Sequence, residues 1–485
     1  MQSKLKSDFI SGVFYTSIAK YAGLAFSIII SAILARLIEP KDFGLVAIAT
    51  VFINFFSILT TVGISPAIVQ NKTITEIELR SINSFTFVLA SALTLIFVAF
   101  IPVIQLFYDN SAQLKSILLL LSISIFFSIA SIVPNAMILK AKLFKFIALR
   151  TFVIHLVFGI ISVVCAYLGL GIYALLINPI FSSFCLLIVN FKKFPVGFAY
   201  IKKSAIDKIL SFSIYQFLFN LVYIGYRNID KFFIGKFFGM ANLGFYEKSY
   251  RLMMLPLENV SSVISPVLHP LLSEYQNDKE KIWSSYLKML RMLSEFSFIL
   301  SAALFFLSDA IILLLYGENW KFAIPLFKIL SLSVCFQLLQ APIGAVLQSI
   351  NKVKALFYGG LWMLFFVASA LLVSWYFNSI LVLVFGMDAA FFVGFVIYQI
   401  YLAHFFDKSL ANIITVIAPH LLYAIIFFAL CFAFKYFFLP QSIIASMLIY
   451  IPLTIAIFAC LKIMGKLPES SILAKDVINK IRGRK

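Results

Sequence analysis

Ser213, Gln216, Asn220, Tyr223, Arg227 and Lys231 recur at steps of three and four residues. On a helix that spacing gathers them into one stripe. Glu247, Arg251, Met254 and Glu258 follow at steps of four, three and four. Arg offers a planar fork of donors matched to phosphate or carboxylate oxygens, and Lys a mobile point charge. Amides, hydroxyls and the faces of Tyr15, Tyr215, Tyr223 and Tyr226 suit a polar, uncharged ligand. Lys20, in the first apolar run, adds a fourth cation to Arg227, Lys231 and Arg251. A central Arg, Lys or Asp costs roughly 2.5–3.5 kcal/mol to place in a membrane, so such groups normally face a cavity.

The elements carrying these residues are set by composition. Of 485 residues, 62% are apolar and 12% are charged, with 55 phenylalanines. At about 20 apolar residues per crossing, the ceiling is near fifteen spans. No water-soluble fold hides that much apolar surface. The chain is therefore a polytopic membrane protein, which excludes a secreted domain, a nucleic-acid-binding domain and a soluble catalytic domain. The net charge of +19 lies mostly in short connections beside apolar runs, where it sets topology and attracts anionic lipid. Five cysteines inside apolar stretches show no disulfide or metal spacing. No phosphate-cradling glycine loop, metal cluster or nucleophile–base spacing is present, so neither an enzymatic site nor direct use of ATP is expected and no cofactor is implied.

Apolar runs predict about fourteen helices: 11–38, 42–64, 81–108, 114–139, 146–168, 170–191, 208–238, 244–275, 283–316, 321–350, 354–377, 379–406, 413–438 and 441–465. This divides the chain into an N-lobe (1–191), a basic linker (192–207), a C-lobe (208–408), two further spans (409–466) and a basic tail (467–485). Lys4 and Lys6 precede a first run without a small-residue cleavage site, which reads as an uncleaved span. Lys and Arg gather on the side of the N-terminus, Lys140, Lys142, Lys145, the linker, Lys279 to Arg291 and the tail. Both termini are accordingly expected in the cytoplasm.

The chain also repeats itself. Shifted by 200 residues, Leu34 to Gly44 (LARLIEPKDFG) lies over Ile234 to Gly244 (IGKFFGMANLG) without a gap. Arg36 meets Lys236, Asp42 meets Asn242, Gly44 meets Gly244, and Pro66 meets Pro266. A second match, at a shift of 209, sets LSISIFF (121–127) over LSLSVCF (330–336), with Pro134 and Pro342 one residue out of step. Six spans separate the copies, so both run the same way through the bilayer, related by a pseudo-two-fold along its normal. Two such lobes would enclose a cleft lined by the first two spans of each.

Residues 228–273, NIDKFFIGKFFGMANLGFYEKSYRLMMLPLENVSSVISPVLHPLLS, carry a further signal. Asn228-x-Asp230, Ile234-Gly235, Gly239, Leu243-Gly244-x-Tyr246, Leu252, Pro256 and Pro266 resemble the signature region of Wzx-type polysaccharide flippases of the multidrug/oligosaccharidyl-lipid/polysaccharide superfamily. Leu34 to Leu37 with Phe43-Gly44 looks like that family's opening, while the charged Glu247-Lys248 departs from its pattern. The resemblance implies a flippase moving polyprenyl-diphosphate-linked oligosaccharide across the bacterial inner membrane by alternating access. It also implies membrane lipids as surroundings, polysaccharide polymerase and glycosyltransferases of the same pathway as partners, and a monomer.

For such a substrate, Lys20, Arg227, Lys231 and Arg251 are candidate diphosphate partners. Gln216, Asn220, Tyr15, Tyr215, Tyr223 and Tyr226 are candidates for the sugars. Asp230, Glu247 and Glu258 would balance charge or couple transport to a proton or sodium gradient. Pro66, Pro256 and Pro266 would kink or gate their spans. Structural readings stand beside these: Arg227, Asp230, Lys231 and Lys236 as a headgroup-region cap, and Glu247 with Arg251 as an intrahelical pair. Competing functions are a flippase for the peptidoglycan precursor, a cation-coupled drug exporter, whose cleft should be acidic, and a membrane polymerase, which needs a long external loop.

Overall fold

The computed structural model describes residues 2–71, 73–108, 111–210, 214–273, 275 and 278–438. Among them are seventeen α-helices. They are α1 (Gln2–Leu37), α2 (Pro40–Gln70), α3 (Glu76–Phe107), α4 (Ala112–Ala130), α5 (Ile132–Lys140), α6 (Phe144–Tyr167), α7 (Ala174–Lys193), α8 (Lys203–Leu210) and α9 (Ile214–Phe237). Then follow α10 (Met240–Ser273), α11 (Lys279–Phe306), α12 (Ser308–Tyr316), α13 (Ala323–Gln340), α14 (Ile343–Ser349), α15 (Val353–Tyr376), α16 (Ile380–Phe405) and α17 (Leu410–Phe438). Ten stretches of the described helices are long and apolar enough to cross a membrane. The fold is an all-α, multi-pass membrane architecture. The expected last span, 441–465, and the basic tail lie outside the described residues.

Helix ends follow local chemistry. Thr75 and Glu78 close a reciprocal capping box on α3, at 3.3 and 2.9 Å. Asp278 caps α11 by accepting from the Lys281 amide at 3.0 Å. Apolar side chains surround the spans on every side. On α3, Phe97, Ile101 and Ile104 are buried while Leu95 and Leu106 are about 70% exposed, an outer face fit only for lipid.

Three expected spans are broken helices. α4 stops at Ala130 and α5 resumes at Ile132, α11 gives way to α12 at Leu307, and α13 gives way to α14 at Ala341 and Pro342. Pro134 lies in the first turn of α5 and Pro342 caps α14, where a missing N–H costs least. The break thus recurs in both copies of the repeat. Two turns recur as well. Lys142 and Asn351 both adopt φ 57°, and Gly169 (φ 87°) is matched by Asn378 (φ 45°), each pair at the 209-residue shift. α6 and α15, which lie between those turns, are both 24 residues long.

The chain divides into two compact units, 1–247 and 248–485. In the first, α1 packs on α6, α3 on α4, and α2 on α4, α5 and α9. The linker after α7 is strapped to the start of α3. Asn83 donates to the carbonyls of Val196 and Gly197 (3.2 and 3.3 Å), while Ser84 and Ser81 accept from the amides of Ala199 and Lys202 (3.0 and 2.7 Å). In the second unit, α11 packs on α13 and α17, and α16 on α13 and α15. Tyr286 donates to Gln399 at 2.6 Å inside that bundle. Ala302, Phe306, Phe427 and Cys431 form the apolar seam between α11 and α17.

Candidate functional site

The corner between α9 and α10 carries most of the candidate residues, and glycine allows it to form. A Cβ on Gly44 would stand 1.9 Å from the Met240 carbonyl oxygen, and one on Gly244 would stand 1.9 Å from the Pro40 carbonyl oxygen. Pro40 and Met240 are themselves equivalent at the 200-residue shift. The contact is therefore reciprocal, backbone on backbone, as a local two-fold requires. It holds the start of α2 against the start of α10, with α9 packed on α2.

On α9, the Arg227 guanidinium lies 5.6 Å from the ring centre of Tyr223, within cation–π range. Tyr226 meets Tyr223 edge to face at 5.4 Å. Tyr226 is buried and Tyr223 is partly exposed, so the aromatic platform has one accessible ring. One turn on, Asp230 is completely buried and accepts a hydrogen bond from the Tyr246 hydroxyl of α10. Lys231 pairs with Glu247 at 2.7 Å, with the two side chains only 12% and 28% exposed. Arg251 pairs with Glu258, seven residues along α10, at 3.4 Å, both about half exposed. Lys20 is exposed on α1.

The candidate cations therefore differ in kind. Lys231 is neutralised across the helix corner, and Arg251 has an exposed carboxylate partner. Arg227 is half-buried on an aromatic ring. Glu247 reaches to α9, whereas an intrahelical pair with Arg251 was the alternative reading. Lys248, the other half of the unusual charged pair, is buried with its ammonium 5.2 Å from the Tyr316 ring centre. Helix α2 continues through Pro66, and α10 through Pro256 and Pro266. The side chains of Tyr15, Tyr215, Gln216, Asn220 and Pro266 lie outside the described residues, as does Ser213. Tyr246, quoted above only as part of a motif, is the partner that sequence reasoning missed. Its placement on the buried side of α10 was the available signal.

Glu295 and Asp388 lie deep in the second unit. Glu295 stands 3.8 Å from His420 of α17, both nearly buried. Both Asp388 oxygens are buried on α16 without a hydrogen bond among the described residues.

The family model of the polysaccharide biosynthesis proteins matches residues 33–325. An uncharacterized membrane protein in the cps region of Klebsiella pneumoniae is 26% identical over 368 residues, covering 73% of each chain. The lipopolysaccharide biosynthesis protein WzxC of Escherichia coli is 23% identical, covering 73% of this chain and 72% of its own. Among solved structures, the lipid II flippase MurJ in an inward closed conformation superposes with a TM-score of 0.74 at 16% identity, over 96% of this chain and 100% of its own. That likeness establishes a shared fold. The sequence match, covering more than half the chain, establishes the lineage: this chain belongs to the polysaccharide biosynthesis protein family.

Proposed function

We propose that the chain is a flippase that carries polyprenyl-diphosphate-linked oligosaccharide from the inner to the outer leaflet of the bacterial inner membrane. Both termini face the cytoplasm, and transport proceeds by alternating access. The observation that carries this reading is Arg227, a half-buried guanidinium on α9 that lies over the ring of Tyr223. A fixed fork beside an aromatic face suits a diphosphate next to a sugar. Lys20 and Arg251 extend the cationic lining, and Arg251 exchanges Glu258 for phosphate when substrate arrives. Lys231 and Glu247 keep the helix corner closed, and Asp230 holds it through Tyr246. The prenyl tail stays in lipid between helices, and a proton or sodium gradient drives the cycle. The chain performs no bond-making chemistry and takes its substrate from membrane glycosyltransferases of the same pathway.

A second reading, a flippase for the lipid-linked peptidoglycan precursor, is favoured by the MurJ-like fold. Reconstituted vesicles offered both lipids separate the two. The proposal expects the oligosaccharide lipid to cross at the faster rate, and faster crossing of the peptidoglycan precursor would replace it with the second reading.

A further inference from the structure

From Asn110 to Ile206 the sequence contains no acidic residue, yet it holds nine cations: Lys115, Lys140, Lys142, Lys145, Arg150, Lys192, Lys193, Lys202 and Lys203. Most lie at one end of the first unit, where α5 stops, α6 begins and α7 stops. Within this end Arg150 is the residue the surroundings serve least. Its Nη2 donates to the Asn135 side-chain oxygen of α5 at 2.6 Å. Its Nε and Nη1 are buried and hydrogen-bond to nothing among the described residues. The guanidinium lies 5.6 Å from the Phe146 ring centre, and the Lys193 ammonium of α7 lies 5.3 Å from the same centre. Two cations thus converge on one ring, with no carboxylate paired to either among the described residues. Next to them Asn190 donates to Ser131 at 2.7 Å, and Ser131 and Asn135 lie one turn apart.

A buried guanidinium with vacant donors is costly, and a ring quadrupole offsets little of that cost. The missing partner is an anion, and the acid-free sequence around the site supplies none. At the end of a membrane bundle, the anion available in quantity is the phosphate of a lipid headgroup, which attracts basic clusters.

We propose that Arg150 and Lys193, braced by Asn135 and Phe146, bind the phosphate of an anionic lipid headgroup at the basic end of the first unit. Lys193, exposed at the end of α7, meets the phosphate first. Arg150 then turns one of its vacant N–H groups toward it and donates. The site is separate from the α9–α10 corner and does not depend on the flippase reading.

The test uses the full-length protein in nanodiscs of phosphatidylcholine, with and without phosphatidylglycerol. Thermal unfolding and lipid retention in native mass spectrometry are read on wild type, Arg150→Gln, Arg150→Lys and Lys193→Gln. Phosphatidylglycerol should raise the wild-type Tm. Arg150→Gln should weaken its retention about tenfold, as expected for loss of a charge-assisted hydrogen bond. Arg150→Lys should recover part of that loss, and Lys193→Gln, an exposed change that leaves the core intact, should lower retention on its own. Inorganic phosphate added to phosphatidylcholine discs should leave Tm unchanged. A Tm rise with phosphate equal to that with phosphatidylglycerol would overturn the lipid assignment. Equal phosphatidylglycerol retention in wild type and Lys193→Gln would overturn the site.

Discussion

Asp230 has no exposure, and the Tyr246 hydroxyl donates to its carboxylate across the α9–α10 corner. A carboxylate that deep depends on its donors, so this pair holds the corner together whatever the substrate. Tyr246→Phe removes the hydroxyl and leaves a buried acceptor short of a partner, at about 1–3 kcal/mol. Thermal unfolding in detergent should show that loss, with a smaller one for Asp230→Asn. A Tyr246→Phe protein as stable as wild type would remove the structural role. At this scale the sequence was partly legible. The stripe through Tyr223, Arg227 and Lys231 was visible because helical spacing is a property of one segment. The pairing of Lys231 with Glu247, and of Asp230 with Tyr246, was not, because it depends on how two segments meet. Arg150 escaped notice for a related reason. A single cation near a span end reads as topology until its neighbours turn out to include no acid.

Pairs of helices show the repeat more clearly than residue identities do. Gly44 and Gly244 were legible as equivalents, and they meet through reciprocal backbone contacts that leave no room for a methyl group. Ala at either position must push two backbones apart, costing about 1–3 kcal/mol by overpacking. Once one substitution has opened the seam the second costs less, so Gly44→Ala with Gly244→Ala should destabilise by less than the sum of the two single changes. Additive losses in thermal unfolding would show that the two glycines do not share one contact. Other equivalences were illegible. Lys142 and Asn351 occupy the same left-handed turn position, as do Gly169 and Asn378, although three different residue types fill the four places. Backbone conformation has outlasted side-chain identity there, and a comparison of letters cannot detect it. The paired helix breaks near Pro134 and Pro342 were signalled only by the prolines.

In the second unit, two exposed ion pairs, Lys279 with Asp407 at 2.9 Å and Lys408 with Glu280, tie the start of α11 to the turn after α16. The hydrogen bond from Lys279, followed by its charge, holds the Asp407 carboxyl below its ordinary value of 3.8. The resulting stability is fully present above that value and is lost as pH falls through the lower folded value. Wild type should therefore lose Tm more steeply than Asp407→Asn below about pH 4. Parallel acid-side profiles would show that the pair contributes nothing. The effect should be small and reduced by salt, because both groups are exposed. Composition and periodicity disclosed the multi-pass architecture, and described helices cover thirteen of the fourteen predicted runs, ten of them long and apolar enough to cross a membrane, because lipid exposure is written along each helix separately. Transport itself is tested most directly in proteoliposomes carrying a defined polyprenyl-diphosphate oligosaccharide, with leaflet crossing followed for wild type and Arg227→Ala at equal protein content. Crossing by wild type and its loss in Arg227→Ala is the predicted result; no crossing by wild type, or equal crossing by both, would contradict it.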